Sequence, residues 1–211
     1  MESDRPESDG SAGDTRVAES APAYFEGLDP EHRYMTVDEY LAFEQASTER
    51  HEYVNGMIHA MAGTTRQHEV IAGNIFAAIH AHVRGGPCRP YAGNLKLRLH
   101  LDRRDFFYYP DIMVGCTQDG VEDSWIRFPC VIVEVLSTST QAIDRREKYM
   151  NYLQVPSVRE YFLVSQLRLE IVVFRRDDDW KASRIADAAG TVEFKSIELT
   201  LPIAQVYEGV L

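Results

Sequence analysis

The sequence predicts an α/β fold, a mixed β-sheet flanked by helices. Three observations carry that expectation. Apolar residues recur at helical spacing in two early segments, each with a readable start or stop signal. From Leu95 onward the spacing shortens to alternation and to brief apolar runs, which mark strands. The resulting order is helix, hairpin, helix, three strands, helix, strand, hairpin, and such interleaving places helices against a sheet.

The first element starts at Thr36-Val37-Asp38-Glu39, where T-x-x-E is a capping box. Val37, Tyr40, Leu41 and Phe43 or Glu44 then surround an amphipathic turn that ends near Ala46. Asn55-Gly56 stands between His51-Glu52-Tyr53-Val54 and Met57-Ile58-His59-Ala60, and it supplies the positive-φ pair of a type I′ hairpin turn. A second helix is expected over residues 65–84, with Val70, Ile71, Ile75, Ala78 and Ile79 at helical spacing and Gly85-Gly86-Pro87 as its stop. Leu95, Leu97 and Leu99 alternate with Lys96, Arg98 and His100 in a half-buried strand. Residues 106–116 read as one strand, aromatic first and aliphatic after. Residues 130–136 form an apolar run broken only by Glu134, as in a central strand covered on both faces. A helix over 144–154 ends before Pro156, residues 159–164 return as a strand, and 169–175 with 181–185 form a C-terminal β-hairpin. The last segment, 202–207, is expected to be a short helix.

Composition bounds the class. The chain has 211 residues, 45% hydrophobic and 26% charged, which suits a globular domain and excludes collagen-like or wholly disordered readings. No window approaches the roughly 18 apolar residues of a membrane helix. Residues 1–33 are polar, carry nine acids and three bases, and lack periodicity, so they read as an acidic, largely disordered extension ahead of a domain over 34–211. That extension holds −6 of the net charge of −11. The body is only mildly acidic, which disfavours bulk electrostatic gripping of nucleic acid without excluding a nucleic-acid enzyme. Cys88, Cys116 and Cys130 have no C-x-x-C spacing and are expected to be reduced core thiols of a cytoplasmic protein.

The informative acids are Asp111, after Pro110, and Glu134, inside Val131-Ile132-Val133-Glu134-Val135-Leu136. A carboxylate within such a run must be hydrated, paired or bound to a cation. Neighbouring strands would bring the two acids together, and carboxylates that close repel unless a proton or a divalent metal lies between them. Mg²⁺ prefers oxygen ligands and commonly takes one or two carboxylates, waters and substrate phosphate. The plainer readings are a Pro-Asp turn and a Glu134 paired with an arginine.

The run Tyr109-Pro110-Asp111-Ile112-Met113-Val114, then Val133-Glu134-Val135-Leu136-Ser137, then Asp144-Arg145-Arg146-Glu147-Lys148 resembles the Uma-two restriction-endonuclease family of the PD-(D/E)XK superfamily. Tyr152, Pro156-Ser157, Glu160-Tyr161 and Leu-Pro-Ile-Ala before Tyr207-Glu208 extend the resemblance over the whole body. It implies a restriction-endonuclease-like fold and a metal-dependent endonuclease that hydrolyses nucleic-acid phosphodiester bonds. Asp111 and Glu134 would ligate Mg²⁺ or Mn²⁺, with the backbone carbonyl of Val135 as third ligand. The lysine expected two residues after Glu134 is Leu136 here. Lys148 is the candidate replacement, stabilising the attacking hydroxide or the developing phosphorane charge, unless it only forms an exposed ion pair with Asp144.

Glu52 could extend the acidic cluster, and His68 either joins it or bonds a backbone carbonyl. His80 and His82, two apart on a helix, point to different sides and do not make a zinc pair. Lys96, Arg98 and His100 read as the wet face of an antiparallel sheet, with phosphate contact as the alternative; Arg145 and Arg146 read as helix-surface residues. Tyr108, Tyr109, Trp125 and Phe128 read as core aromatics that could instead stack bases. The partners implied are nucleic acid, DNA foremost, and a second copy of the chain, because the C-terminal hairpin offers an edge strand. The rival reading, favoured by Leu136 and by the lack of a basic stripe, is a catalytically silent interaction or DNA-binding module. A sugar hydrolase would need a raised pKa on one acid and an open cleft, and nothing in the sequence points to sugars.

Overall fold

The computed structural model describes residues 34–61, 63–136 and 144–210. The extension expected over 1–33 lies outside the described residues.

Helix α1, Val37–Ala46, opens with the expected capping box: Thr36 accepts from the Glu39 backbone, and the Glu39 carboxylate accepts from the Thr36 N–H at 2.8 Å. A cap of this kind contributes about 1 kcal/mol. Strands β1 (His51–Val54) and β2 (Met57–Ala60) pair around Asn55 and Gly56, whose φ values of 47° and 100° are those of a type I′ turn. Gly56 is also needed for space, because a Cβ there would fall 2.1 Å from the Tyr34 ring.

Helix α2, Arg66–Val83, is capped by Thr65 and buries Ile71, Ile75 and Ile79, one per turn. Each such side chain stabilises by roughly 1.5–3 kcal/mol on burial. After it come β3 (Arg89–Ala92), β4 (Lys96–Leu101) and β5 (Arg104–Tyr108), then β6 (Ile112–Gly115), β7 (Trp125–Ile126) and β8 (Pro129–Leu136). A π-helical turn, Asp144–Lys148, leads into the single turn α3, Tyr149–Tyr152. Strands β9 (Glu160–Ser165), β10 (Ile171–Arg175), β11 (Ala182–Ile185), β12 (Thr191–Phe194) and β13 (Leu199–Pro202) follow, and α4, Ile203–Val206, ends the fold.

The strands form a five-stranded sheet, β2-β1-β5-β4-β7, a six-stranded sheet, β11-β10-β9-β8-β6-β3, and the ribbon β12-β13. The six-stranded sheet is mixed: β8 and β9 run parallel, and its other pairs are antiparallel. As expected, β8 is central and the C-terminal hairpin lies at an edge. Two corrections follow. The strand expected over 106–116 is two strands in two sheets, split at Tyr109-Pro110-Asp111, because proline lacks the N–H a ladder requires. The helix expected over 144–154 is a π-turn and one α-turn. Strands β3 and β7 are short and carry no strong alternation, whereas Val192 and Phe194 of β12 and Leu199 and Leu201 of β13 alternate with polar neighbours.

Alternation along the central strands divides the core. Val131, Val133 and Val135 of β8, with Phe162 and Val164 of β9, face α2 and the ribbon. Ile132 and Leu136, with Tyr161 and Leu163, face the cluster built from Leu97, Leu99, Phe106 and Tyr108 of the other sheet. Position 134 belongs to this second face. Tyr40, Tyr53 and Phe107 form a third cluster under α1.

The cysteine expectation is overturned. Cys88 and Cys116 form a disulfide, one step beyond the Arg89–Gly115 pair that ends the β3–β6 ladder. A separation of 28 residues gives no local hint of such a pairing. Cys130 keeps its thiol 3.4 Å from the Cys116 sulfur, and burial pushes its pKa up to about 11.

Candidate active site

Asp111 stands where the chain leaves β5 for β6. Since Ile112 pairs with Val133, extending the register by one step sets Asp111 across from Glu134. Its Oδ2 accepts from the Val135 N–H at 2.6 Å and lies 3.1 Å from His68 Nε2. His68 comes from the first turn of α2, so three elements hold this carboxylate. Burial pulls the His68 pKa down, but the hydrogen bond and charge of Asp111, with Glu69 behind them, outweigh it and leave the pKa raised.

Glu134 is 3% exposed. Its Oε1 accepts from the Tyr152 hydroxyl at 3.0 Å and lies 3.4 Å from Lys148 Nζ. Lys148 Nζ is also 2.9 Å from Oε1 of Glu52, which reaches in from β1. Glu52 in turn accepts from the Tyr109 N–H at 3.4 Å. Lys148 is 6% exposed, which corrects the reading of it as half of an exposed helix-surface ion pair. Burial and the charge of Glu134 hold the Tyr152 hydroxyl well above the usual phenol range, so it stays a donor. Below it, Tyr108 donates to Glu147 at 2.8 Å and accepts from Asn151 at 2.6 Å.

Glu52, Asp111, Glu134 and Lys148 all line one cavity of about 420 Å³, closed on its other side by α2 and the β2 end. Among the described residues, no group of three or more His, Cys, Asp or Glu side chains is placed to hold a metal ion. The donor set still fits an oxygen-seeking divalent cation. It offers the Asp111 and Glu134 carboxylates with Glu52 on the same wall, and Mg²⁺ commonly completes its shell with water and phosphate.

The remaining sequence candidates separate clearly. His68 bonds Asp111, not a backbone carbonyl. Lys96, Arg98 and His100 line no part of this cavity: Lys96 is buried over the Tyr109 ring at 5.6 Å, where burial lowers its pKa. Arg98 lies over Phe107 and Trp125 at 5.4 and 5.6 Å, and His100 is exposed beside Asp105. Tyr109 alone of the four singled-out aromatics reaches the main cavity; Phe128 borders a smaller one of about 290 Å³. His82 bonds the Ile197 carbonyl at 2.8 Å.

Sequence reasoning missed Tyr152 as a partner of Glu134, although it lies four residues after Lys148, the spacing of one helical face. It also missed Glu44, which accepts from the Tyr109 hydroxyl at 2.7 Å and the His51 N–H at 3.0 Å, tying α1 to the cavity floor.

The sequence profile of the Uma2 family, described as "Putative restriction endonuclease", matches residues 37–204. The chain belongs to the Uma2 family. Two uncharacterized proteins of Synechocystis are relatives: one is 35% identical over 196 residues, covering 92% of this chain and 98% of its own. The other is 24% identical over 172 residues, covering 79% of this chain and 96% of its own. A crystal structure described as a putative nuclease of the DUF820 group, from Anabaena variabilis, superposes with a TM-score of 0.69 at 19% identity, over 84% of this chain and 99% of that one. That likeness establishes the fold of this Uma2 protein as the nuclease-like mixed α/β architecture. Among the described residues, no helix is long and apolar enough to cross a membrane.

Proposed function

We propose that this cavity hydrolyses phosphodiester bonds of nucleic acid, DNA foremost, with Mg²⁺ or Mn²⁺ held by Asp111 and Glu134. The backbone carbonyl of Val135 is assigned as the third protein ligand. What carries the reading is the meeting of both acids with Lys148 and Glu52 on one cavity wall. When bound, the metal would lower the pKa of a water and neutralise charge on the phosphoryl group.

The chain's own residues do the rest. His68 and the Val135 N–H hold Asp111 Oδ2, which fixes that carboxylate's orientation toward the cavity. Tyr152 fixes Glu134. Lys148, standing in for the lysine that Leu136 replaces, offers its ammonium to the attacking oxygen and to the charge that develops on the phosphate. Glu52 keeps that ammonium aimed at the cavity.

Calorimetric titration of Mn²⁺ tests the ligand assignment without any guess about substrate. Saturable binding by the wild type, lost in a folded Asp111→Ala/Glu134→Ala double variant, supports the reading. Equal binding by both, together with no EDTA-sensitive cleavage of DNA or RNA, would overturn it.

One observation favours a second reading, a silent nucleic-acid-binding or interaction module. Lys148 Nζ lies within 3.4 Å of both glutamates, so a cation is already supplied by the protein itself. Lys148→Met separates the two. A catalytic lysine costs about 10²-fold in turnover on removal, whereas a charge-neutralising lysine leaves function intact and raises Mn²⁺ affinity.

The proposal includes a homodimer through β11, the exposed edge of the six-stranded sheet. Light scattering on the eluting protein reads its mass directly.

A further inference from the structure

The helix side of the cavity belongs to α2, which lines it with Ala72, Gly73 and Phe76 beside His68 and Glu69. Helix α2 has two working faces. Ile71, Ile75 and Ile79 enter the core, while His68, Ala72 and Phe76, four residues apart, line the cavity, Ala72 and Phe76 also packing against that core. His68 holds Asp111, and Phe76 stacks on His80 with ring centroids 5.9 Å apart. The cavity thus has Glu52, Asp111 and Glu134 on its strand side, and Phe76 with Glu69 on its helix side.

Its size and charge limit what can enter. A volume of about 420 Å³ is at the small end of ligand pockets, roughly 300–1,000 Å³. One nucleotide unit fits such a space; a duplex does not. Glu52, Glu69, Asp111 and Glu134 line it against the cations Arg50 and Lys148. Any nucleic-acid strand meets these carboxylates as like charge, so its phosphate needs a bound cation beside them.

Gly73 adds an independent detail. It lies within α2, where glycine destabilises relative to alanine, yet a Cβ at this position would meet nothing within 4 Å. No neighbouring side chain requires glycine there. The residue lines the cavity, so its absent side chain leaves the helix backbone open to whatever the cavity holds.

From these features we infer that the cavity receives one unpaired nucleotide, its base against Phe76 and the Ala72–Gly73 backbone, its phosphate toward Asp111 and Glu134. The substrate is therefore single-stranded nucleic acid or an unpaired end. This inference rests on the phosphodiesterase reading for the role of the acids, but its binding half stands apart from catalysis. Stacking of a base on an aromatic ring tolerates any sequence and adds about tenfold to binding.

The test compares a labelled single-stranded 12-mer with the blunt duplex of the same sequence. Binding is read by fluorescence anisotropy in Ca²⁺, which neutralises the carboxylates, and cleavage by gel in Mn²⁺. Wild type is expected to bind and cut the single strand at least tenfold better. Phe76→Ala should weaken single-strand binding about tenfold, and Phe76→Trp should restore it. Gly73→Leu, which adds a side chain at the cavity edge while improving helix propensity, should weaken single-strand binding with the circular dichroism spectrum unchanged. Equal handling of single strand and duplex, or indifference to both Phe76→Ala and Gly73→Leu, overturns the inference while leaving a nuclease in place. Phe76-dependent single-strand binding without hydrolysis in any divalent metal sustains the inference and removes the nuclease reading. Absence of both binding and cleavage removes both.

Discussion

Two glutamates on adjacent central strands of one sheet have opposite fates. Glu134 of β8 and Glu160 of β9 are 3% and 2% exposed. Glu160 is saturated by structure: Oε1 accepts from Arg175 Nε at 3.0 Å and the Lys195 N–H at 3.1 Å, and Oε2 accepts from the Ser196 N–H at 2.8 Å. It ties the sheet to the turn after β12 and borders neither described cavity. Glu134 is held through side chains, Tyr152 and Lys148, and lines the main cavity. Burial alone therefore does not mark a functional acid. What separates the two is what they face: Glu160 is closed off by Arg175 and two backbone donors, whereas Glu134 lines an open space.

The largest effect expected from this contrast is on turnover. Asp111→Asn and Glu134→Gln should each lower single-strand cleavage by at least about 10³-fold, roughly 4 kcal/mol on the barrier. Initial rates at saturating Mn²⁺ measure this, and full activity in either variant would erase the distinction between the two glutamates. Glu160→Gln should do the reverse. It removes the buried charge paired with Arg175 and should lower unfolding stability by about 3 kcal/mol in urea, while the folded fraction cuts at the wild-type rate.

Cys88→Ser probes whether the far end of the β3–β6 ladder communicates with Asp111 at its near end. Opening a loop of 28 residues should cost about 3 kcal/mol of stability. Turnover of the folded protein should not change; a change would show that the site depends on the clip.

The smallest effect concerns pH. Hydrogen bonding from Arg168 lowers the Glu170 pKa, burial opposes this, and Arg184 adds to the lowering. A carboxylate whose folded pKa is depressed contributes stability above its unfolded value, and that contribution is lost as pH falls through the folded pKa. Melting temperatures taken downward from pH 5 should therefore fall less steeply in Glu170→Gln than in wild type. Parallel curves would show that the Arg168 and Arg184 contacts are too screened to matter.

Elements with strong local signals were legible in the chain. Thr36 and Glu39 cap α1, Asn55-Gly56 turns the hairpin, Ile71, Ile75 and Ile79 define the buried face of α2, and residues 130–136 run through the sheet centre. These follow from backbone preferences and periodicities that act over a few residues. The break at Pro110 was available too, since its missing N–H forbids a continuous strand over 106–116. The short strands β3 and β7 were not, because their pairing is decided by distant partners; β12 and β13 pair with each other across a four-residue turn, and Val192 with Phe194 and Leu199 with Leu201 carried that signal.

The site shows the same division. By itself the sequence determined that a carboxylate at position 134 in an apolar strand needs a partner, and that Asp111 is the companion acid. Only the tertiary structure decided that Lys148 lies between Glu134 and Glu52, that His68 holds Asp111, and that Cys88 meets Cys116. These contacts join residues 14 to 96 positions apart. A burial cost belongs to a residue and its neighbours, so sequence can state it; the identity of a remote partner depends on which strands pair and in what register, and the assembled sheets alone specify that.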